Sequence, residues 1–267
     1  MTISDLESYL APTISVITVC YRESPEKIHF TFSSIASQTY SHIEWIVVDG
    51  GSPEETLAVI REYSSKIAKL ISEPDDGIYD AMNKGIASAH GDFLLFMNVR
   101  DRLTGPSVLS RMADFIIANP GYEGYYGDPI YFDPKSAIRC LNRQERNVGR
   151  FQLHYGMINH QVTLSSRRMY DRIGPFDKSY PILADREWVL RSVANGARYK
   201  HTGITMCEFE MGGLSSDLAS QKDEISRILR QYYGLPERAL YYTAKKIREL
   251  WRRPLRALTR LKEKENL

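Results

Sequence analysis

The first hundred residues alternate short apolar runs with amphipathic segments, and this alternation narrows the possible folds more than any other feature. The runs are rich in β-branched residues, which favours buried strands, and helical spacing follows each of the first three. In the first helical segment, Ile28, Phe32 and Ile35 recur at intervals of four and three and form one apolar face. This pattern predicts an α/β fold with a mostly parallel, Rossmann-like sheet. The predicted strands cover residues 14–21, 43–51 and 92–98, and residues 67–77 are predicted to form a shorter strand and a turn.

Polar side chains stand where three of these strands end. Glu23 follows the first strand, Asp49 closes the second, and Asn98 and Asp101 follow the fourth. Because ligands of open parallel sheets bind at the carboxyl ends of the strands, these side chains are predicted to meet at one edge. The chain has no GxGxxG or GxxxxGK[ST] phosphate loop, which disfavours dinucleotide dehydrogenases and P-loop enzymes. Carboxylates suit hydrogen bonds to a base and ribose, and they suit a divalent cation that neutralises a diphosphate.

The pattern changes after Gly105. A predicted helix around 106–118 is followed by aromatic, β-rich stretches with turn residues between them, which indicates a more antiparallel half. Residues 160–166 are predicted to form a strand and residues 184–196 a helix. No clean linker interrupts the chain, so one domain with a helical appendage is expected. The expected bounds are 1–216 for the domain, with halves of about 12–103 and 104–216, and 217–267 for the C-terminal helical extension.

Composition and charge argue against several classes of protein. The net charge of +2 does not favour a nucleic-acid partner. Three scattered cysteines without CxxC spacing do not form a disulfide framework, and they fit a reduced compartment. The N-terminus lacks the basic and apolar regions of a signal peptide, and no stretch approaches roughly 18 consecutive apolar residues. A cytoplasmic location is therefore expected.

The C-terminal tail is basic and amphipathic. From Glu237 onward it holds ten Lys or Arg and four Glu, and Leu250, Trp251 and Leu255 fit one helical face that Pro254 interrupts. Basic amphipathic helices bind membrane surfaces, so peripheral contact with the inner face of the cytoplasmic membrane is expected. Three alternatives remain. The tail forms a solvated helix, packs against the chain's own domain, or packs against a second subunit in a homodimer.

Four stretches in the first hundred residues resemble family 2 glycosyltransferases, which have the GT-A fold. They are ISVITVCYRE, IEWIVVDGGSPEET, ISEPDDGIYDAMNKGIASAHGD and FMNVRD. The block PDDGIYDAMNKGI is the most specific and is typical of bacterial members that build surface polysaccharides. The shorter stretches HQ, GPFD, ADREWVLR and GGLS follow in the family's order. The resemblance implies a GT-A fold, and it implies sugar transfer from a nucleotide donor.

The resemblance also implies donor-binding residues in the first half of the chain. Thr18 and Glu23 would line the nucleotide pocket, Asp49 would contact the uracil or the ribose, and Asp75 would face the nucleotide. Two structural alternatives stay open at this point. Asp49 caps the turn that follows it, or Asp75 forms an Asx turn.

Asn83 and Lys84 complete this implied set on the helix of the GIYDAMNKGI block. Both share a helix face with Asp80 at spacings of three and four. Lys84 either reaches the diphosphate or pairs with Asp80 on the surface. Met82 stands where many relatives have an arginine, and it cannot bind phosphate. That task then passes to Lys84 or Arg100.

Asp101 corresponds to the last acid of the family's metal motif, and the resemblance implies that it binds Mn²⁺ or Mg²⁺. The motif reads Asn98-Val99-Arg100-Asp101, so Arg100 replaces the usual acid or glycine. In one interpretation Asp101 holds the cation while Arg100 and Asn98 face the donor. In the other, Arg100 replaces the cation, since a guanidinium matches diphosphate oxygens with a bidentate fork. Solvated loop charges are the structural alternative.

The resemblance places the catalytic base at Asp185, at the start of ADREWVLR. In inverting transferases such a carboxylate deprotonates the acceptor hydroxyl. The alternative is a helix N-cap. His160 would contact the acceptor or the leaving group, or serve only as a structural hydrogen-bonding residue. Gly212 and Gly213 suggest a loop that folds over the donor.

The sequence thus favours an inverting glycosyltransferase. It would move a sugar from a nucleotide-diphosphate donor, expected to be a UDP-sugar, to a glycan or lipid-linked acceptor in cell-surface polysaccharide synthesis. A degenerate homologue that binds nucleotide sugars without turnover is one alternative, and Arg100 is the feature that encourages it. A sugar nucleotidyltransferase is the other, but the expected glycine-rich basic loop after the first strand is absent.

Overall fold

The computed structural model of the chain describes residues 11–133, 136–144, 146, 148–149, 153, 157–211 and 221–243. By its internal contacts the chain divides into two compact units, Met1–Glu224 and Ile225–Leu267. The predicted division between residues 216 and 217 lies outside the described residues and stays a prediction. Residues 235–243 of the second unit are helical.

The described residues form one mixed sheet with helices along the chain. The strands are β1 Ile14–Cys20, β2 Ile43–Asp49, β3 Lys69–Ser72, β4 Phe93–Phe96, β5 Arg102–Leu103, β6 Gly124–Asp133, β7 Ile138–Leu141, β8 Thr163–Ser166 and β9 Tyr199–Glu210. The helices are α1 Pro25–Ala36, α2 Glu54–Arg61, α3 Ile78–Ser88, α4 Val108–Ala118, α5 Arg167–Ile173, α6 Ala184–Ala194 and α7 Gln221–Tyr232.

The sheet has the order β3-β2-β1-β4-β8-β6-β9-β5, and β7 pairs with β6. The first four strands of this order are parallel, while β8 runs antiparallel to both β4 and β6. The predicted fold class is confirmed, with a parallel first half and a more antiparallel second half. In the parallel part Cys20 lies opposite Asp49, so β1 and β2 end side by side.

Strand β1 is buried along its whole length because helices cover both faces of a doubly wound sheet. On one face Trp45 packs edge-on against Phe32 of α1, with their ring centroids 4.9 Å apart. The indole N–H of Trp45 donates to the hydroxyl of Thr18, at 2.9 Å, which satisfies both buried polar groups.

Helix α3, which carries the GIYDAMNKGI block, packs closely on β1 at Gly85. A Cβ at Gly85 would lie 2.4 Å from Cγ2 of Ile17, so a glycine is required for this approach. Ile17 is fully buried and has no room to move away. The close contact sets the position of α3 against the carboxyl edge of the sheet.

The second half departs from the predicted elements in three places. Residues 160–162 form a 3-10 turn rather than the start of a strand, and the strand begins at Thr163. Helix α5 follows at Arg167, where no helix was predicted, because its seven residues, about two turns, are too few to show helical periodicity. The two-residue strand β5 was missed for the same reason of length.

Some predictions fall on parts of the chain that the structure does not describe. Gly212, Gly213 and the amphipathic tail beyond residue 243 lie outside the described residues. Within the part that is described, no helix is long and apolar enough to cross a membrane.

Replacing Gly85 with alanine should destabilise the fold by about 1–3 kcal/mol, because overpacking of a full core outweighs the helix propensity gained. Urea unfolding of the two proteins measures this difference. Gly105→Ala is the control, since nothing lies within 4 Å of a Cβ at that position. A Gly85→Ala protein as stable as wild type would contradict the close packing of α3 on β1.

Candidate functional site

A cavity of about 830 Å³ lies at the carboxyl edge of the parallel strands. Its walls come from the ends of β1, β2 and β4, the turn before α3, residues 157–161, the start of α6 and the end of β9. Of the sequence-predicted residues, the cavity brings together Glu23, Asp75, Asn98, Arg100, Asp101, His160 and Asp185. The sequence therefore located the edge of the sheet where these groups meet.

Asp49 lies directly behind this cavity wall, at the end of β2. Its Oδ2 accepts hydrogen bonds from the amides of Gly51 and Ser52, at 3.1 and 2.9 Å, and from the hydroxyl of Ser72, at 2.8 Å. Its other oxygen, Oδ1, is buried without a hydrogen-bond partner among the described residues. One oxygen thus holds the turn, as the structural alternative proposed, and the second is an unsatisfied hydrogen-bond acceptor.

Asp75 fits both of its interpretations. Its Oδ1 accepts from the amide of Gly77, at 3.0 Å, which is an Asx turn. The same residue lines the cavity. Gly50 permits the side chain of Asp75 to approach the end of β2 this closely, because a Cβ at Gly50 would lie 2.4 Å from Oδ2 of Asp75.

Besides Asp49, the predicted donor residues Thr18, Asn83 and Lys84 are not among those that line the cavity. Thr18 is fully buried and accepts its hydrogen bond from Trp45. Asn83 faces the GPFD segment, where its amide both donates to the carbonyl of Phe176 and accepts from its N–H, each at 2.9 Å. Thr18 and Asn83 thus hydrogen-bond to other parts of the fold, and their contact with a donor stays a prediction.

Lys84 adopts the surface-pair alternative. Its ammonium lies 3.0 Å from Glu73 and 3.8 Å from Asp80, and it donates to the carbonyl of Pro74 at 2.7 Å. These partners satisfy the ammonium beside the cavity turn rather than inside the cavity. Of the two residues that the sequence offered for phosphate binding, Arg100 lines the cavity and Lys84 does not.

Arg100 stands at the cavity with an unusual backbone conformation. Its φ of 89° lies in the left-handed region, which costs a non-glycine residue on the order of 1–3 kcal/mol. Its amide donates to the hydroxyl of Thr31, at 2.9 Å, and its Nε donates to Glu23, at 3.0 Å. Glu210 lies 3.9 Å from the guanidinium on the other side. The arginine is thus held between two carboxylates at the cavity wall.

Asp101 is nearly buried, although it lines the cavity. Its Oδ1 accepts from the amide of Glu210, at 3.4 Å, and the side chain of Gln161 also hydrogen-bonds to it. Burial disfavours the charged form and raises the pKa of this carboxyl to about 7, against an opposing effect of nearby His160.

The residues at Asp101 fit a cation that takes most of its ligands from a substrate. Among the described residues, no three His, Cys, Asp or Glu side chains converge as a metal cage. Mg²⁺ is commonly held by one or two carboxylates together with substrate phosphates, and Asp101 offers such a carboxylate at the cavity. A cation there would also relieve the cost of burying its charge.

Asp185 sits in a hydrogen-bonded network at the start of α6. Its Oδ2 lies 2.9 Å from Nδ1 of His160, and its Oδ1 accepts from the amide of Arg186, at 2.8 Å. The hydroxyl of Tyr79 lies 3.1 Å from the same Oδ1. Because an ionised carboxylate only accepts, the proton of His160 belongs on Nδ1, and Nε2 then accepts from Asn98 at 3.3 Å.

Sequence reasoning missed Tyr79 and Glu210 as members of this site. Tyr79 lies in the GIYDAMNKGI block, but helical spacing alone does not show which residue of a buried helix faces a ligand. Glu210 follows a long β-rich stretch whose end resembles a surface turn. Its position as the last residue of a strand at the cavity edge was the available signal.

The chain is similar to known proteins both in sequence and in fold. The family model described as Glycosyl transferase family 2 matches residues 15–172. The PGL/p-HBAD biosynthesis glycosyltransferase of Mycobacterium bovis is 32% identical over 225 residues, which cover 80% of this chain and 81% of that protein. An uncharacterized glycosyltransferase of Mycobacterium tuberculosis, Rv1514c, is 31% identical over 208 residues, or 77% and 78% of the two chains.

Two solved structures share the fold at low sequence identity. S. aureus TarS 1-349 in complex with UDP-GlcNAc has a TM-score of 0.65 and 17% identity, over 82% of this chain and 65% of that chain. The mannosyltransferase PcManGT from Pyrobaculum calidifontis, in complex with GDP-Man and Mn²⁺, has a TM-score of 0.56 and 15% identity, over 88% and 80%.

The raised pKa of Asp101 makes stability depend on pH. The folded protein keeps the proton up to about pH 7, whereas the unfolded chain releases it near the ordinary value of 3.8. The free energy of unfolding should therefore fall as pH rises from about 4 to 7, relative to Asp101→Asn. Urea unfolding of both proteins in EDTA across this range measures the difference. A constant difference between the two proteins would contradict the burial of Asp101.

Proposed function

Because the chain belongs to glycosyl transferase family 2 and is a glycosyltransferase, we propose that it moves a sugar, with inversion, from a UDP-sugar to a glycan or lipid-linked acceptor. One observation carries this proposal. A single cavity holds the strand-end groups Asn98, Arg100 and Asp101 together with Asp185, whose carboxylate belongs to a separate element. Donor-binding groups and a proton acceptor thus share one site.

The donor would lie along the ends of β1, β2 and β4. Asp49 keeps an unpartnered buried oxygen for the base or ribose, and Asp75 and Glu23 line the same wall. Arg100 would bind the diphosphate, since its guanidinium matches phosphate oxygens in a bidentate manner. The complex of TarS with UDP-GlcNAc is consistent with a UDP-linked donor.

A divalent cation, Mn²⁺ or Mg²⁺, would bind at Asp101 and neutralise charge on the departing diphosphate. Asp101 supplies a protein oxygen, and Asn98 lies beside it at the cavity. Arg100 contributes a fixed positive charge at the same wall, so it shares that task with the cation. The complex of PcManGT with GDP-Man and Mn²⁺ is consistent with a divalent cation in this proposal.

Asp185 would act as the general base. It accepts the proton of the acceptor hydroxyl, whose oxygen then attacks the anomeric carbon, and the nucleoside diphosphate leaves with the bonding pair. A carboxylate offers about four acceptor sites, so the contacts with His160, Tyr79 and the Arg186 amide leave one for the hydroxyl. His160 holds the carboxylate through Nδ1 and lines the cavity, where it would face the acceptor.

The acceptor belongs to cell-surface polysaccharide or glycolipid synthesis in this proposal. The relative named for PGL/p-HBAD biosynthesis supports a lipid-linked or related acceptor. Such an acceptor fits a protein in the cytoplasm at the inner face of the membrane. Contact through the basic tail, or a homodimer through the same tail, stays a prediction because the tail beyond residue 243 lies outside the described residues.

Asp185→Asn should reduce UDP release from the preferred UDP-sugar roughly 10²- to 10⁴-fold, because the general base is lost. Binding of UDP, measured by calorimetry, should stay near wild type. Release of UDP at the wild-type rate would contradict the role of Asp185. Absence of UDP release from the wild-type protein with any UDP-sugar, with Mn²⁺ or in EDTA, despite UDP binding, would favour the degenerate homologue.

Arg100→Gln should weaken UDP binding by about 10-fold or more in EDTA, since hydrogen bonds to charged groups contribute about 1.5–3 kcal/mol. Lys84→Gln is the matched control and should bind UDP as wild type does, because Lys84 does not line the cavity. The gain in affinity on adding Mn²⁺ should be larger for Arg100→Gln than for wild type. Weaker binding only in Lys84→Gln would overturn this assignment.

A further inference from the structure

Glu224 is a buried carboxylate that binds the backbone just before the helix of Asp185. It lies in the first turn of α7, and its side chain accepts from the amides of Ile182, at 3.2 Å to each oxygen, and Leu183, at 2.8 Å. Those two amides precede α6, which begins at Ala184. Burying them without partners would cost about 1–3 kcal/mol each. Glu224 therefore fixes the backbone immediately before Asp185.

The carbonyl group of Ile182 is held by a hydrogen bond as well. This carbonyl lies 2.8 Å from the hydroxyl of Tyr79, and that hydroxyl lies 3.1 Å from Oδ1 of Asp185. Burial, reinforced by the nearby charges of Asp185 and Glu224, raises the pKa of Tyr79 well above its ordinary value. Tyr79 therefore stays a neutral hydrogen-bond donor at working pH, shared between the carbonyl and the carboxylate.

We propose that Glu224 is a positioning residue for Asp185, acting through the backbone of Ile182 and Leu183 and through Tyr79. The proposal rests on the proposed function, in which Asp185 is the base. The side chain of Asp185 leaves the backbone two residues after Leu183, so a shift of this turn moves the carboxylate against the acceptor. A misplacement of about 1 Å is enough to cost roughly 100-fold in rate.

The electrostatics of the turn favour the same role. The start of a helix carries partial positive charge on its free amides, and these attract carboxylates. Glu224 takes up this attraction at Ile182 and Leu183. The carboxylate of Asp185, which uses only the Arg186 amide of its own helix, stays directed toward His160 and the cavity.

The chain offers matched variants to test this. Glu224→Gln keeps the size of the side chain but turns an NH₂ group toward one of the two amides. Glu224→Asp keeps both acceptor oxygens on a shorter stem. Asp223→Asn is the control, because Asp223 is an exposed acid in the same helical turn. Tyr79→Phe removes the hydrogen bonds of the Tyr79 hydroxyl to Ile182 and Asp185 and leaves Glu224 unchanged.

Each full-length variant is assayed for UDP release with the UDP-sugar that wild type turns over fastest, and for UDP affinity by calorimetry. Glu224→Gln should lower kcat roughly 10- to 100-fold and change the Kd of UDP less than about twofold. Glu224→Asp should recover part of the loss. Tyr79→Phe should lower kcat in the same direction, while Asp223→Asn should match wild type.

Amide exchange of the folded proteins gives a readout that does not depend on turnover. The amides of Ile182 and Leu183 should exchange faster in Glu224→Gln and Glu224→Asp, and at the wild-type rate in Asp223→Asn. If Glu224→Gln does not fold, Glu224→Asp and Tyr79→Phe carry the kinetic test. Wild-type kcat in these two variants would overturn the proposal.

Failure of this inference is separable from failure of the proposed function. If Asp185→Asn abolishes UDP release and the Glu224 variants do not lower it, Asp185 is the base but Glu224 does not position it. If Asp185→Asn leaves UDP release unchanged, Asp185 is not the base, and the proposed function fails whatever the Glu224 variants show. A kcat loss in Glu224→Gln with an equal loss of UDP affinity would also overturn the positioning role.

Discussion

The parallel pairing of β1 with β2 and β4 is the constraint on which the site depends. Ile14 of β1 lies opposite Ile43 on one side and Phe93 on the other, so the three strands start in register and their carboxyl ends meet at one edge. Polar groups cannot be tolerated within this buried sheet without partners, and they collect where the strands end. A one-residue slip of β4 would reverse which side chains face each layer and remove Asp101 from the cavity.

The same edge retains a strained residue that the fold must hold in place. Arg100 adopts a left-handed conformation that glycine would adopt freely, yet the position carries a long cationic side chain. Thr31 holds its amide, and Glu23 and Glu210 hold its guanidinium. Backbone strain of this kind is stored mainly at functional sites. Replacing Arg100 with glycine would relieve the backbone strain, but it would remove the guanidinium that lies between the carboxylates of Glu23 and Glu210.

The sequence was sufficient to predict the sheet and the polar residues at its strand ends. It was insufficient for side chains whose orientation depends on how helices and strands pack. Strand-end groups such as Asp101 were predicted because the end of a buried strand fixes both their place and their exposure. Thr18 could not be placed, since a strand buried on both faces gives no alternation to tell one face from the other. The contacts of Asn83 and Lys84 could not be predicted, because the spacing of residues on a helix does not show which neighbour each side chain meets. Their partners, Phe176 and Glu73, come from elements distant in sequence or from a turn.

Two buried oxygens connect the stability of this fold with its function. Oδ1 of Asp49 and Oδ1 of Asn98 have no hydrogen-bond partner among the described residues, although each belongs to a side chain whose other polar atom is bonded. A buried acceptor without a donor costs about 1–3 kcal/mol, so selection for stability alone would remove it. Asn98 lines the cavity and Asp49 precedes the lining residue Gly50, so the proposed nucleotide sugar would bring hydroxyl and N–H donors near both. The folded protein is thus less stable at the two positions where the proposed nucleotide sugar would supply the missing hydrogen bonds. The other polar atom of each side chain is already hydrogen-bonded, so the free oxygen is held in place before the nucleotide sugar binds.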